Sequence, residues 1–241
     1  MILNLQMLKK LALCCLSLII LISATTDNTK ITGTKIYFVE KEPKVEHIRI
    51  RMLLTPRFLR VDTGFDNGDF ILFDRKQRLI QNVVHADKTI LNVSYTGFKV
   101  APLVPDIKIS KQERLLPDAP RINQFALKQI VTRVNDLDCK KTIVAVKLLP
   151  RVTKAMQELN TVLADQYARG MKNMVFNNNR AKCDLVTSVY EVNSDLRAGF
   201  PVQTNRNNGW SRSLVDFKEN VTLSPKLFSL PQDYFRYSLP N

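Results

Sequence analysis

Histidine is almost absent from this chain: His47 and His85 are the only two. Metal centres built on histidine and cysteine spacing need more ligands than that. His47 falls on the polar side of an alternating run and His85 falls in a turn, so both read as surface residues. No G-x-S-x-G, P-loop or G-x-G-x-x-G occurs, which removes the common signatures of nucleophilic hydrolases and of nucleotide binding. The reading therefore assigns no catalytic residue, no metal and no cofactor.

Continuous basic runs are also missing. The formal charge is +14, an excess that points to nucleic acid or an anionic surface. Its lysines and arginines are scattered, with no run of five. Setting aside Lys9 and Lys10 from that +14 leaves +12. Anionic lipid headgroups are the better match for such a chain, and export argues against nucleic acid.

Export is the expectation for the first 24 residues. Lys9 and Lys10 form a positive start, Leu11 to Ile22 is an apolar run short for a membrane span, and Ile22-Ser23-Ala24 ends small. This is the pattern of a signal peptide cleaved after Ala24, with a retained anchor as the alternative. Cys14 and Cys15 lie inside the run, and Leu13 is too large for a lipoprotein signal. The mature chain then keeps Cys139 and Cys183 alone. An even pair in an oxidising compartment is most simply one disulfide.

What the sequence does have is short extended runs. Val45 to Val93 reads as VEHIRIRMLL, FLRVDT, DFILFDR, RLIQNVV and KTILNV, separated by turn residues. Ile48, Ile50 and Met52 alternate with His47, Arg49 and Arg51, and Leu59 and Val61 alternate with Arg60 and Asp62. A period of two puts one set on a buried face and the other in water. Asn67-Gly68 is a strong hairpin signal. Phe70 to Phe73 is apolar on both faces, as a covered central strand would be. Connections this short make the neighbours antiparallel, and the meander needs a cover for its apolar face.

Further strands are expected at Thr34–Val39, near Ile107 to Ile109, at Gln129–Val134, Thr142–Val146, Leu185–Val192, Trp210–Phe217 and Val221–Leu223. Asn207-Asn208-Gly209 is a second hairpin candidate. Pro150 to Met174 is the one clear helix: Val152, Met156, Leu159, Leu163 and Tyr167 form a stripe that Ala155 and Val162 widen. Pro150 suits its first turn. The aromatic tail from Phe228 to Tyr237 is expected to pack down.

Two smaller signals have ordinary readings. Asp62, Asp66, Asn67 and Asp69 around Gly64 and Gly68 resemble half of a calcium loop, but the spacing fits turn-forming residues of a hairpin. With His85, the three aspartates are also the residues from which a hydrolase site could be assembled. Asn92-Val93-Ser94 and Asn220-Val221-Thr222 match the glycosylation triplet and are read as chance.

The run FLRVDTGFDNGDFILFDRKQRLIQNVVHADKTILNV resembles a segment of uncharacterised exported bacterial proteins, related in pattern to the LolA/LolB-like lipoprotein-carrier half-barrels. Cys139 before the long helix, Cys183 after it, Gly199-Phe200-Pro201 and the ending LFSLPQDYFRYSL extend the similarity. The basic helix and long C-terminal region depart from the carriers. The resemblance implies an α+β fold: a curved antiparallel sheet, residues 25–241, lidded by a helix at about 150–175. It also implies a periplasmic, non-enzymatic protein that binds an apolar or lipid-like ligand or an envelope lipoprotein. Ile48, Ile50, Met52, Leu59 and Val61 would form one wall of an apolar cavity and Met156, Leu159 and Leu163 the lid. The alternative is a filled core with no ligand, serving an envelope protein-interaction or stress-sensing module. An anionic membrane surface is a further expected partner. The sequence sets no oligomeric state.

Overall fold

The structure, a computed structural model, describes residues 30–100, 102–103, 106–122, 124–171 and 178–239. The expected signal segment 1–24, with Cys14 and Cys15, lies outside the described residues.

Twelve strands form one curved, unclosed sheet in the order β12-β6-β5-β4-β3-β2-β1-β11-β10-β9-β8-β7. They are β1 (Ile31–Lys41), β2 (Ile48–Leu54), β3 (Phe58–Asp62), β4 (Phe70–Asp74), β5 (Leu79–Val84), β6 (Thr89–Ser94), β7 (Ile109–Leu115), β8 (Leu127–Val134), β9 (Leu137–Ala145), β10 (Phe200–Arg206), β11 (Ser211–Leu223) and β12 (Phe235–Ser238). Every neighbouring pair is antiparallel except β12 and β6, which run parallel. The meander β2 to β6 follows the sequence pattern, each turn returning the chain beside its predecessor.

Helix α1 (Pro150–Gly170) lies across one face of this sheet. Leu149 in the left-handed conformation and Pro150 in the first turn start it, which suits proline's fixed φ and missing N–H. Its buried seam, Val152, Ala155, Met156, Leu159 and Val162, packs on Ile36, Phe38, Met52, Leu54, Leu59 and Phe73. The seam drifts off the expected stripe. Leu163 is 47% exposed, while the buried Asp165 accepts the backbone N–H groups of Thr96 at 3.1 Å and Phe98 at 2.6 Å. Residues 172–174 of the expected helix lie outside the described residues.

Leu185–Val192, expected as a strand, is helical instead. Helix α2 (Asn179–Leu185) continues into a π-turn at Val186–Tyr190, and α3 (Ser194–Ala198) follows. The β-branched composition suggested a strand, but Cys183, Val186 and Val189 recur at helical spacing and bury together against Val134, Cys139 and Ala168. Cys139 and Cys183 form the expected disulfide, Cα atoms 5.3 Å apart. The two strands expected around Trp210 to Leu223 are one: β11 stays continuous along β1, absorbing mismatches as bulges at Gly33/Lys35 and Tyr37/Phe38.

A second correction concerns the face assigned to water. Arg51, Arg60 and Asp62 are 6%, 1% and 5% exposed. The tail covers them: Leu227, Phe228, Leu230 and Tyr234 pack on Leu53, Phe58, Phe70, Leu72, Val83 and Ile90. The sheet is thus sandwiched between α1 on one face and residues 225–234 on the other. Among the described residues no helix is long and apolar enough to cross a membrane.

Candidate functional site

A cleft of about 710 Å³ opens beside α1, within the range of small-molecule sites. Helix α1 supplies one wall through Met156, Asn160, Leu163 and Tyr167. The π-turn supplies Ser188, the turn after it Val192, and α3 Asp195 and Leu196. The opposite wall comes from β9 to β11, with Lys140, Arg206, Trp210 and Arg212. The β10–β11 hairpin sets that wall. Asn207, Asn208 and Gly209 make its turn, and Arg206 N–H donates to the Trp210 carbonyl at 2.9 Å. Strand alternation then places Trp210 and Arg212 on one face.

The charges in this wall are not equivalent. Lys140 Nζ lies 2.8 Å from Asp195 Oδ2, and Thr142 Oγ1 donates to the same oxygen at 2.8 Å. Arg212 Nε donates to Glu40 Oε1 at 2.6 Å. Arg206 alone of the three makes no ion pair and no side-chain hydrogen bond among the described residues, and its Nε is buried without a partner. Burial pushes its guanidinium below the ordinary value. Asp184 opposes that shift, Arg212 adds to it, and Asp195 and Glu40 oppose it. Its guanidinium carbon lies 5.1 Å from the Trp210 ring centroid, and that of Arg212 lies 5.3 Å from the same centroid. Arg206 is half-buried, and a cation drawn out of water normally carries its partner with it. This one faces a cleft that has room for an anion. Burial, reinforced by Asp184 and opposed by Arg206, raises the Tyr167 phenol above its ordinary value.

The sequence-predicted wall residues divide three ways. Met156 and Leu163 line the cleft. Met52, Leu59 and Leu159 are buried in the core between sheet and helix, and Ile50 and Val61 pack at its margin. Ile48 is 39% exposed and borders a shallow recess with Tyr37 and Phe65. Lys140, Arg206, Trp210 and Arg212 were not anticipated. The signal available was a cation–aromatic–cation pattern astride the Asn-Asn-Gly turn.

The carboxylates of the β3–β4 hairpin are engaged elsewhere. Asp62 binds Arg51 and Arg60 and also accepts Gly64 N–H at 2.9 Å, as a turn-forming aspartate does. Asp66 pairs with Arg51 at 2.8 Å. Asp69 accepts the His85 backbone N–H at 2.7 Å, and the His85 ring meets Tyr234 Oη at 2.6 Å.

No family model matches the chain, and no curated protein matches it. Among solved structures it is similar to an uncharacterised conserved protein from Thermus thermophilus, at 11% identity and a TM-score of 0.43, covering 86% of this chain and 91% of that one. It is also similar to PNGF-II in two crystal forms. The first gives 10% identity and a TM-score of 0.42 over 86% of this chain and 31% of PNGF-II. The second gives 11% and 0.40 over 86% and 32%. Similarities this distant carry no argument about function, and the cleft stands on its own geometry.

Proposed function

We propose that this chain is a non-enzymatic, exported binding protein, of the kind its LolA/LolB-like resemblance implies. Its cleft takes a lipid-like amphiphile with an anionic head, free or as the anchor of an envelope lipoprotein. The observation that carries the reading is Arg206, a half-buried guanidinium with a buried, unpartnered Nε and no ion pair among the described residues, on the wall of a cleft about 710 Å³ in volume. An anionic head there would gain a charge-assisted hydrogen bond, and Trp210 would flank it. The apolar part of the ligand would run along Met156, Leu163 and Leu196. The disulfide is compatible with the oxidising compartment that export supplies.

Native mass spectrometry of protein purified from cells tests this directly. The expected result is a co-purifying anionic amphiphile, displaced by a fluorescent fatty acid, with affinity reduced at least tenfold in Arg206→Gln. Clean apo protein that takes up no fatty acid sinks the reading.

A filled core supports a second reading, an envelope protein-interaction or stress-sensing module. Met52, Leu59 and Leu159 are packed rather than lining an opening, so the surface alone would engage a partner. Crosslinking in cells that traps no envelope protein tells against it.

A further inference from the structure

The opposite side of α1 from the cleft carries a different feature. By the 3.6-residue helical repeat, Arg151, Lys154, Glu158 and Thr161 share one side, and Met156, Asn160, Leu163 and Tyr167 the other. Two shallow recesses open on the first side. One, about 360 Å³, is bordered by Arg75, Arg151 and Lys154, with no acidic residue. The second, about 520 Å³, is bordered by Arg75, Arg78, Lys154 and Arg197, with Glu158 as its one acid. Arg75 and Lys154 belong to both, so the recesses make one strip.

The strip's charge is poorly neutralised from within. Arg75 spends its guanidinium on Glu158, Nε to Oε2 at 2.6 Å. Arg151 reaches Glu219 only at 4.0 Å, and Arg197 reaches Glu191 only at 3.5 Å. Arg78 lies over the Tyr95 ring at 3.3 Å, and Lys154 is exposed. Two of them, Arg151 and Lys154, lie at the start of a helix whose first turn holds no acidic residue, and Arg78 and Arg197 extend the charge along its next turns. The helix dipole adds to the potential there. Clustered cations at a helix start are costly for the fold alone and complementary to a plane of phosphates.

We infer that this strip is the surface by which the protein docks on the phosphate headgroups of an anionic bilayer. The match is one of charge: five cations against one lining acid, Glu158, with Glu219 and Glu191 reaching Arg151 and Arg197 from the edges, on sequence-distant segments of β4–β5, α1 and α3. The inference is independent of the cleft, because none of the strip residues lines it.

The test is co-flotation of the full chain with vesicles of phosphatidylcholine, alone or mixed with phosphatidylglycerol, read as the difference in partitioning between the two. Every variant keeps residues 1–24, so their contribution cancels. The triple variant Arg151→Gln, Lys154→Gln, Arg197→Gln is expected to lose more than tenfold of that difference, since each basic residue near an anionic leaflet strengthens binding roughly fivefold. The control triple Lys108→Gln, Lys141→Gln, Lys218→Gln removes as much charge from exposed sites elsewhere and is expected to lose far less. Equal losses, or none in either, overturn the inference, because the attraction is then one of net charge or absent. Displacement by soluble glycerol phosphate at matched ionic strength also overturns it, since the strip would then take free phosphate rather than a bilayer.

Discussion

Arg51 and Asp62 face each other across the β2–β3 pair and join through two hydrogen bonds, Nε to Oδ1 and Nη2 to Oδ2, each 2.8 Å. Arg60 adds a third, Nε to Oδ2 at 2.6 Å, while its guanidinium carbon sits 3.9 Å over the Phe70 ring. The Asp62 side chain has no solvent exposure. Burial pushes its carboxyl upward, but hydrogen bonds from Arg51 and Arg60 outweigh that and hold it below the ordinary value. Asp62→Asn leaves Arg60 buried without a carboxylate and Arg51 with Asp66 alone, and is expected to cost about 3–5 kcal/mol. Denaturant unfolding near neutral pH measures it.

The same pair sets a pH dependence. A carboxyl whose folded pKa is depressed contributes stability above its unfolded value of about 4, lost as pH falls through the folded value. Asp74 acts in the same direction: burial raises it, and Arg57 with the backbone N–H groups of Gln77 and Lys76 lowers it further. Wild type is therefore expected to lose stability steeply on acidification below about pH 4. Asp62→Asn, already lacking one of these contributors, should show a flatter profile. Parallel profiles for the two proteins would refute this role for Asp62.

The Cys139–Cys183 bridge closes a segment with a sequence separation of 44. Chain-entropy reasoning makes it worth about 4 kcal/mol. It ties β9 to α2 inside a small cluster with Ile107, Val134, Ala168 and Val186. Cys139→Ser or Cys183→Ser should lower the free energy of unfolding by that order, and reducing agent should lower that of wild type equally. Non-reducing peptide mapping should recover the two cysteines in one linked fragment; two separately alkylated peptides would contradict the bridge.

The tail offers a fourth measurement. Phe228 is 7% exposed and stacks on Phe58 at 6.0 Å, and the Leu227 carbonyl accepts from Arg60 Nη1 at 2.7 Å. Phe228→Ala should cost about 3–5 kcal/mol. It should also raise hydrogen exchange selectively in β3 to β5, which lie beneath it, and leave α1 protected. Uniform loss of protection would mean that the tail is no local cover.

These contacts show what the sequence could and could not convey. Alternation in Ile48 to Val61 specifies the strands of the meander, because strand period is local. Asn67-Gly68 marks the reversal between β3 and β4 but not its geometry: the loop spans residues 63–69, and its positive φ falls at Gly64 rather than at Asn67 or Gly68. Arg51 and Arg60 alternate like solvent-facing residues, and period two cannot say that a segment 167 residues away will cover them. Leu185 to Tyr190 has the composition of a strand, and only its packing beside Cys139 and Ala168 selects a helix. The cleft was the least legible part. Its cations come from β9, β10 and β11, and nothing in their spacing distinguishes paired Lys140 and Arg212 from unpartnered Arg206.

Arg206 is therefore where stability and binding should separate. A desolvated charge with no partner costs the apo protein free energy, and its depressed pKa has the same sign. Asp184, Asp195 and Glu40 return part of that cost through longer-range attraction. Arg206→Met keeps the apolar stem and removes the charge. It should raise the apo melting temperature by about 2–4 °C, what roughly 1 kcal/mol gives in a protein of this size, and abolish the further rise that an anionic amphiphile produces in wild type. Leu163→Ser is the companion variant. With Leu163 47% exposed, its own stability should stay within about 0.5 kcal/mol of wild type, yet its ligand-induced shift should shrink. Scanning calorimetry with and without decanoate reads both. If Arg206→Met melts lower than wild type and both variants keep the full ligand shift, the guanidinium is a structural group and the cleft holds its anion elsewhere.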